Sequence, residues 1–372
     1  MDDHFIANLQ SSATIWAWLI FLAFVLGMLA LDLGVFHKKS HIVGFKEALG
    51  WSGVWITLGL SFAILVYHAY ELHWFGLGLS VDAVDNTINT GKLAATKYLT
   101  AYVVEKSLSV DNIFVIAMVF SALAVPARYQ HRVLFWGILG ALLMRGAMIG
   151  MGAVLVHNFH WILYLFGIFL VFTGIKMLIV QDETPHPEDN PVVRWIRKIF
   201  PITRNFHGQH FFVKAGSEGS HEAAEPGQAT TPDPVVEMAK PGTWLLTPLA
   251  VALILVEVTD LIFAVDSIPA VFAITADPFL VFTSNVFAIL GLRSLYFALA
   301  GLIVKFRYLK PALSLILILV GVKMLAAKWL KEHLGDSFNL TVLAVILGIL
   351  FLGVITSIIA KPKADESTPP SI

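Results

Sequence analysis

VEKSLSVDNIF at 104–114 and TDLIFAVDSIP at 259–269 decide how this chain is read. Each sets two acids six residues apart inside an apolar run: Glu105 and Asp111 in the first, Asp260 and Asp266 in the second. Asn112-Ile113 follows one pair and Ser267-Ile268 the other. The likeness continues in order along the chain. Arg145 in LMRGAMIGMGAVLV (143–156) matches Arg293 in GLRSLYFALAGLIV (291–304), each eleven residues before a closing valine, and GIKML at 174–178 matches GVKML at 321–325. Three matches in register point to a duplicated unit of three helices, of the kind that builds membrane carriers.

The composition agrees with a lipid solvent: 57% of the 372 residues are hydrophobic and only 14% are charged, against about a quarter charged in soluble domains. A net charge of -1 offers no basic field for nucleic acid, and the absence of cysteine excludes disulfides and thiol chemistry. A span needs roughly 20 apolar residues. Nine stretches meet this, at 14–36, 47–69, 97–123, 132–156, 160–180, 244–274, 279–303, 311–329 and 339–360. The first lacks the flanks of a cleaved signal and reads as a retained helix. Lys38, Lys39, Lys46, Arg128, Arg132, Arg194, Arg197, Lys198, Arg204, Lys214, Lys240, Lys305, Arg307, Lys310, Lys361 and Lys363 fall on one side, against Lys92, Lys97, Lys328 and Lys331 on the other. That bias predicts an outer N-terminus and a cytosolic C-terminus. The sixth span then enters from the side opposite the third, so the two units are inverted.

The expected fold is therefore all-α: a polytopic membrane protein of about nine transmembrane helices with a three-plus-three inverted repeat. Two helices and an outer loop fill 1–96. The first unit is 97–181, a cytosolic loop 182–243, the second unit 244–330, and a last helix with a disordered tail 331–372. The loop segment FPITRNFHGQHFFVKAG predicts a short hairpin, in which His207 and His210 are usually surface residues and less often a metal-sensing pair.

Five acids, Glu105, Asp111, Glu257, Asp260 and Asp266, fall inside spans, where each costs about 2.5–3.5 kcal/mol at a helix centre. Arg145, Arg293 and Lys106 can pair with some of them, but two negative charges stay uncovered, and a proton or a divalent cation would cover them. Carboxylates with the Asn112 amide and the Ser267 hydroxyl are hard oxygen donors. They favour Mn, Mg or Ca over Zn or Cu. Asp111 and Asp266 read as the central ligands, with Glu105, Glu257 and Asp260 passing the ion or protons to either side. Arg145 and Arg293 hold unloaded carboxylates. In a continuous helix, residues six apart differ by about 240°, so Pro269, which frees the carbonyl of Val265, predicts a break near 265–269. Lys176 and Lys323 read as snorkelling, Asp32 as a cytosolic vestibule acid or a solvated one, and Asp82 and Asp85 as acids of a solvated outer loop.

EKSLSVDNIFV (105–115), VEVTDLIFAVDSIPAVFAIT (256–275) and FTSNVFAILGLRSLYF (282–297) resemble the TerC family of bacterial integral membrane proteins over roughly 14–358. The resemblance implies Mn2+ export across the cytoplasmic membrane, with Mn2+ as transported substrate, no organic cofactor, and Glu105, Asp111, Glu257, Asp260 and Asp266 as the permeation acids. With no phosphate-binding loop in the sequence, ion gradients must drive export, and proton antiport is one such coupling. Two other readings stand beside it. One is a non-transporting scaffold in a tellurite or envelope-stress response; the other is an intramembrane aspartyl-type hydrolase, in which two acids share a proton.

Overall fold

In hydrocarbon every backbone polar group must be satisfied within its own segment, so the apolar runs become helices. The computed structural model describes residues 3–34, 44–159, 161–179, 191–217, 233–299, 308–334 and 338–359. The chain begins with α1 (Asp3–Gly34) and α2 (Phe45–Glu71). Ala17, Phe21, Val25 and Leu29 recur every four residues along α1 and are buried, whereas Ile15, Trp16, Leu19 and Ile20 are exposed, as a lipid-facing helix requires. A short hairpin, β1 (Val81–Asp82) and β2 (Thr87–Ile88), leads into α3 (Gly91–Ala122), α4 (Ala127–Asn158) and α5 (Ile162–Ile179). After α6 (Pro191–Ile199), β3 (Phe212–Lys214), α7 (Pro234–Met238) and β4 (Trp244–Leu246) come α8 (Pro248–Phe272), α9 (Pro278–Leu290) and α10 (Leu292–Leu299). The chain closes with α11 (Leu309–Leu325), α12 (Ala327–Leu334) and α13 (Phe338–Ile359).

Thr-Pro and Asp-Pro start the two helices of the second acidic region. The Thr247 hydroxyl accepts from the Ala250 amide, and the Asp277 carboxylate from the amides of Phe279 and Leu280, each with proline in the first turn. The core forms where α3, α4, α8 and α9 pack together, and α3 lies on α9 as α4 lies on α8. Every residue from Phe279 to Leu290 is buried, so α9 is enclosed by its neighbours from its second residue onward.

The helices that carry GIKML and GVKML, α5 and α11, pack directly on each other through small residues. A Cβ on Gly321 would come within 2.8 Å of the Gly167 carbonyl, and one on Gly174 within 2.8 Å of the Ser314 carbonyl. Gly321→Leu is expected to cost about 1–3 kcal/mol by overpacking, seen as a lower melting temperature in detergent. Gly348→Leu, where an added Cβ meets nothing within 4 Å, is expected to leave it unchanged.

Seven helices among the described residues are long and apolar enough to cross a membrane: Thr14–Leu31, Phe45–Glu71, Ala127–Asn158, Ile162–Ile179, Pro248–Phe272, Pro278–Leu299 and Phe338–Ser357. Of the nine expected spans, the other two correspond to α3, long enough at 32 residues but carrying Lys92, Lys97, Glu105, Lys106 and Asp111, and to α11, only 17 residues long. The break expected near 265–269 is absent. Pro269 sits one turn from the end of α8, and the helix runs on to Phe272 although the ring removes the donor to the Val265 carbonyl. The helical run Pro278–Leu299 is interrupted instead at Gly291, between α9 and α10.

The predicted hairpin within 200–216 also forms differently: β3 pairs antiparallel with β4, some thirty residues on, in the register Val213↔Leu245. His207 is buried there, with Nε2 3.6 Å from the Asp233 carboxylate. The charged loops at 38–39 and 305–307, the closing Val304, parts of 182–243 and the tail lie outside the described residues, as does the side chain of Asp32.

Candidate functional site

Residues seven apart share a helix face, and this places the site. On α3, Glu105, Ser109 and Asn112 point the same way; on α8, Asp260, Ala264 and Ser267 do, and all six are buried. Arg145 of α4 and Asn285 of α9 complete the group, each nearly enclosed. Arg145 grips Asp260 with two parallel bonds, Nε to Oδ2 at 3.1 Å and Nη2 to Oδ1 at 2.9 Å. Its Nη1 bonds Glu105 and approaches the Ser267 hydroxyl at 3.3 Å and the Asn285 carbonyl oxygen at 3.4 Å. The Asn112 amide donates to Asp260 at 2.8 Å. One guanidinium thus ties an acid of α3 to an acid of α8, in the fork geometry that arginine offers.

The clasp is incomplete. Among the described residues, Glu105 Oε2, Asn112 Oδ1, Ser109 Oγ and Asn285 Nδ2 are buried without a hydrogen-bond partner, and such groups are costly unless something fills the gap. One positive charge also faces two carboxylates. The arrangement therefore suits a hard cation, for which Glu105 Oε2 and Asn112 Oδ1 are ready oxygen donors. Among the described residues no three His, Asp or Glu converge as a finished metal cage; in this state Arg145 occupies the space between the acids.

The remaining predicted residues surround this centre. Asp111 and Asp266, expected at the middle, are half-buried, turned away by the six-residue spacing; Asp266 accepts from the Thr173 hydroxyl of α5 at 3.4 Å. Glu257 lies one turn before Asp260, and its carboxylate rests against Gly140 of α4, where a Cβ would push it aside. Lys106 donates at 2.9 Å to the Ala288 carbonyl, which belongs to the last turn of α9, where a helix end attracts cations. Gly291 permits that approach, since a Cβ there would meet Lys106 Nζ at 3.0 Å and Trp55 at 2.8 Å. Arg293 is buried in α10.

Asn285 was not among the sequence candidates. Its signal is the polar run Thr283-Ser284-Asn285 in an otherwise apolar helix. Thr283 and Ser284 bond back to the carbonyls of Phe279 and Val281, which leaves Asn285 to reach the arginine.

A second polar cluster lies near the hairpin. Lys97, fully buried, donates to Asp82 and Asn89 at 2.8 Å and pairs with Asp85 at 2.9 Å. Asp82 also accepts from the Thr275 hydroxyl, the Ala276 amide and the Val84 amide. Asp277 accepts from the Tyr70 hydroxyl at 2.8 Å. These acids are buried, not solvated, because the hairpin folds onto the turn between α8 and α9. Burial pushes the Asp82 carboxyl up, but Lys97, Thr275 and Ala276 outweigh it and hold the group below its ordinary value. Asp277 is raised by burial and by nearby Asp82, against the Tyr70 bond. Lys323 does not snorkel: it is buried, 3.3 Å from the Ala273 carbonyl and over the Phe338 ring.

Buried ionised groups within a bundle of membrane-length helices define a multi-pass integral membrane protein with a charged interior. Residues 90–365 match the model of the integral membrane protein TerC family, and the chain belongs to that family. It is 44% identical over 355 residues to "Uncharacterized membrane protein STKORF319" of Myxococcus xanthus, covering 95% of this chain and 96% of that one. It is 41% identical over 350 residues to "Putative membrane-bound redox modulator Alx" of Escherichia coli K12, covering 94% and 96%. An "Uncharacterized membrane protein" of Rickettsia bellii is 35% identical over 350 residues, covering 94% and 99%. No solved structure matches the chain.

Proposed function

We propose that this chain is a secondary transporter that exports a divalent metal, Mn2+ above others, across the bacterial cytoplasmic membrane. The observation that carries the reading is the incomplete clasp: two buried acids from different helices, held by one arginine, with buried oxygens left open. A purely structural ion pair would be expected to satisfy its own atoms. Glu105, Asp260, Asn112 and Ser267 form the inner ligand set, with Asn285 beside them. Asp111, Asp266 and Glu257, half-buried around it, relay the ion or protons towards the two faces.

The inverted-repeat reading is supported by how the paired elements meet. If Gly167 corresponds to Ser314 and Gly174 to Gly321, as the GIKML and GVKML alignment sets them, then the contacts Gly167–Gly321 and Gly174–Ser314 are two copies of one contact. A twofold axis produces such reciprocity. Two three-helix units rocking about this seam would alternate access to a site between them. Export against an inside-negative potential costs about 2.3 kcal/mol per charge per 100 mV, which favours proton antiport; Mn2+ flux that ignores an imposed pH gradient would count against that coupling. A redox role, as some relatives' names suggest, would not run through thiols in a chain without cysteine.

The test is Mn2+ content in cells lacking their own exporters. Wild type should lower it, and Asp111→Asn and Asp266→Asn should each weaken that effect at equal expression. No lowering by wild type would put the scaffold reading first.

A further inference from the structure

We infer that Arg145 is the built-in counter-ion of the metal-free carrier: its guanidinium fills the place between Glu105 and Asp260 that the transported dication takes, and so lets the metal-free protein return with its protons on the surrounding acids Asp111, Glu257 and Asp266. The inference rests on the transport reading above and deepens it. Arg145 meets both oxygens of Asp260, through Nε and Nη2, and bonds Glu105 through Nη1, so a metal ion bridging the two acids would have to occupy the position the guanidinium now holds. The open atoms, Glu105 Oε2 and Asn112 Oδ1, are where an arriving cation first finds ligands before it displaces the arginine. Glu257 lies beside Asp260 and against Gly140 of Arg145's own helix. Its Oε2 is buried and, among the described residues, without a hydrogen-bond partner, which makes it the acceptor for the displaced guanidinium.

The consequence lies in the transport cycle. Glu105 and Asp260 come from α3 and α8, one from each proposed three-helix unit. Two bare carboxylates in the membrane interior would repel each other and resist any rearrangement that keeps them dry. A dication bridging them removes that obstacle in the loaded protein, and Arg145 removes it in the empty one. Net efflux requires both half-cycles, whereas exchange of labelled for unlabelled Mn2+ requires only the loaded one.

The experiment compares net Mn2+ efflux with tracer exchange of radioactive Mn2+ in proteoliposomes of wild type, Arg145→Gln and Arg145→Lys. For Arg145→Gln the ratio of exchange to net efflux should rise by about tenfold or more, the factor that a barrier change of about 1.4 kcal/mol produces. Mn2+ should also raise its melting temperature more than wild type's, because the ion then supplies the missing positive charge. Arg145→Lys keeps the charge but not the fork and should raise the ratio by only about threefold. It decides the matter if Arg145→Gln does not fold. A ratio equal to wild type's in a folded Arg145→Gln, or in Arg145→Lys when that is the variant available, overturns the counter-ion role while leaving transport intact. Wild type that shows neither exchange nor efflux overturns the transport reading, and this inference with it.

Discussion

Asp260→Asn is expected to abolish Mn2+ efflux, by about a hundredfold or more, in protein that still folds. The substitution removes the carboxylate that meets both Arg145 and Asn112. Glu105 and Arg145 then remain as a neutral pair with no charge left over for a metal, so the interior loses its demand for a cation. The fold survives because removing one acid reduces the excess negative charge, and an amide oxygen can still accept from Arg145. A hundredfold loss corresponds to about 2.8 kcal/mol, within the range expected for deleting one charged ligand of a buried site. Efflux from proteoliposomes and the melting temperature, measured on the same preparation, check both halves of this expectation.

Lys97→Met is expected to have the largest effect on stability. Lys97 is fully enclosed between Asp82, Asp85 and Asn89. Removing one partner of a buried pair leaves uncompensated charge and costs about 3–5 kcal/mol. Lys97→Met with Asp82→Asn should recover part of the loss, and thermal denaturation in detergent would show it as a partial return of the melting temperature. No recovery would mean that the acid and the ammonium do not act as a pair. The same cluster sets a pH dependence. Asp82 is held below its ordinary value, so its contribution is present above the unfolded carboxylate pKa of about 3.9 and is lost as pH falls through the folded value. Asp277, raised by burial, works the opposite way: protonation favours its folded state. The loss on acidification should therefore be smaller than the Lys97 bridge alone would give, and Asp277→Asn should enlarge it.

Much of this architecture is legible in the sequence, because lipid leaves apolar runs little choice but to be helical. Helices α2, α4 and α5 begin and end within a few residues of their predicted spans. The acids and Arg145 stand out because charge in an apolar run is conspicuous. The inward face is less legible. Spacing alone allows either Glu105 with Asn112 or Asp111 to face the centre, and the packing of α3 on α8 and α9 decides for the first. Lys97 reads as an end residue until α3 is seen to start at Gly91, six residues before it, which carries it into the interior. Asn285 is hidden by its polar neighbours, whose hydroxyls satisfy the helix backbone. The strand pairing of β3 with β4 depends on a contact across some thirty residues, which local pattern cannot supply. Pro269 looked like a break because its ring removes the donor to the Val265 carbonyl, yet α8 runs on to Phe272, only three residues further.

The most direct test of the central claim is whether Mn2+ binds at the clasp. Purified protein in detergent would be titrated with Mn2+ while the electron paramagnetic resonance signal of the free ion is followed. Wild type should remove free Mn2+ saturably, and Glu105→Gln and Asp260→Asn should not. If both variants remove the ion as wild type does, the buried acids do not hold the metal, and the site described here is structural.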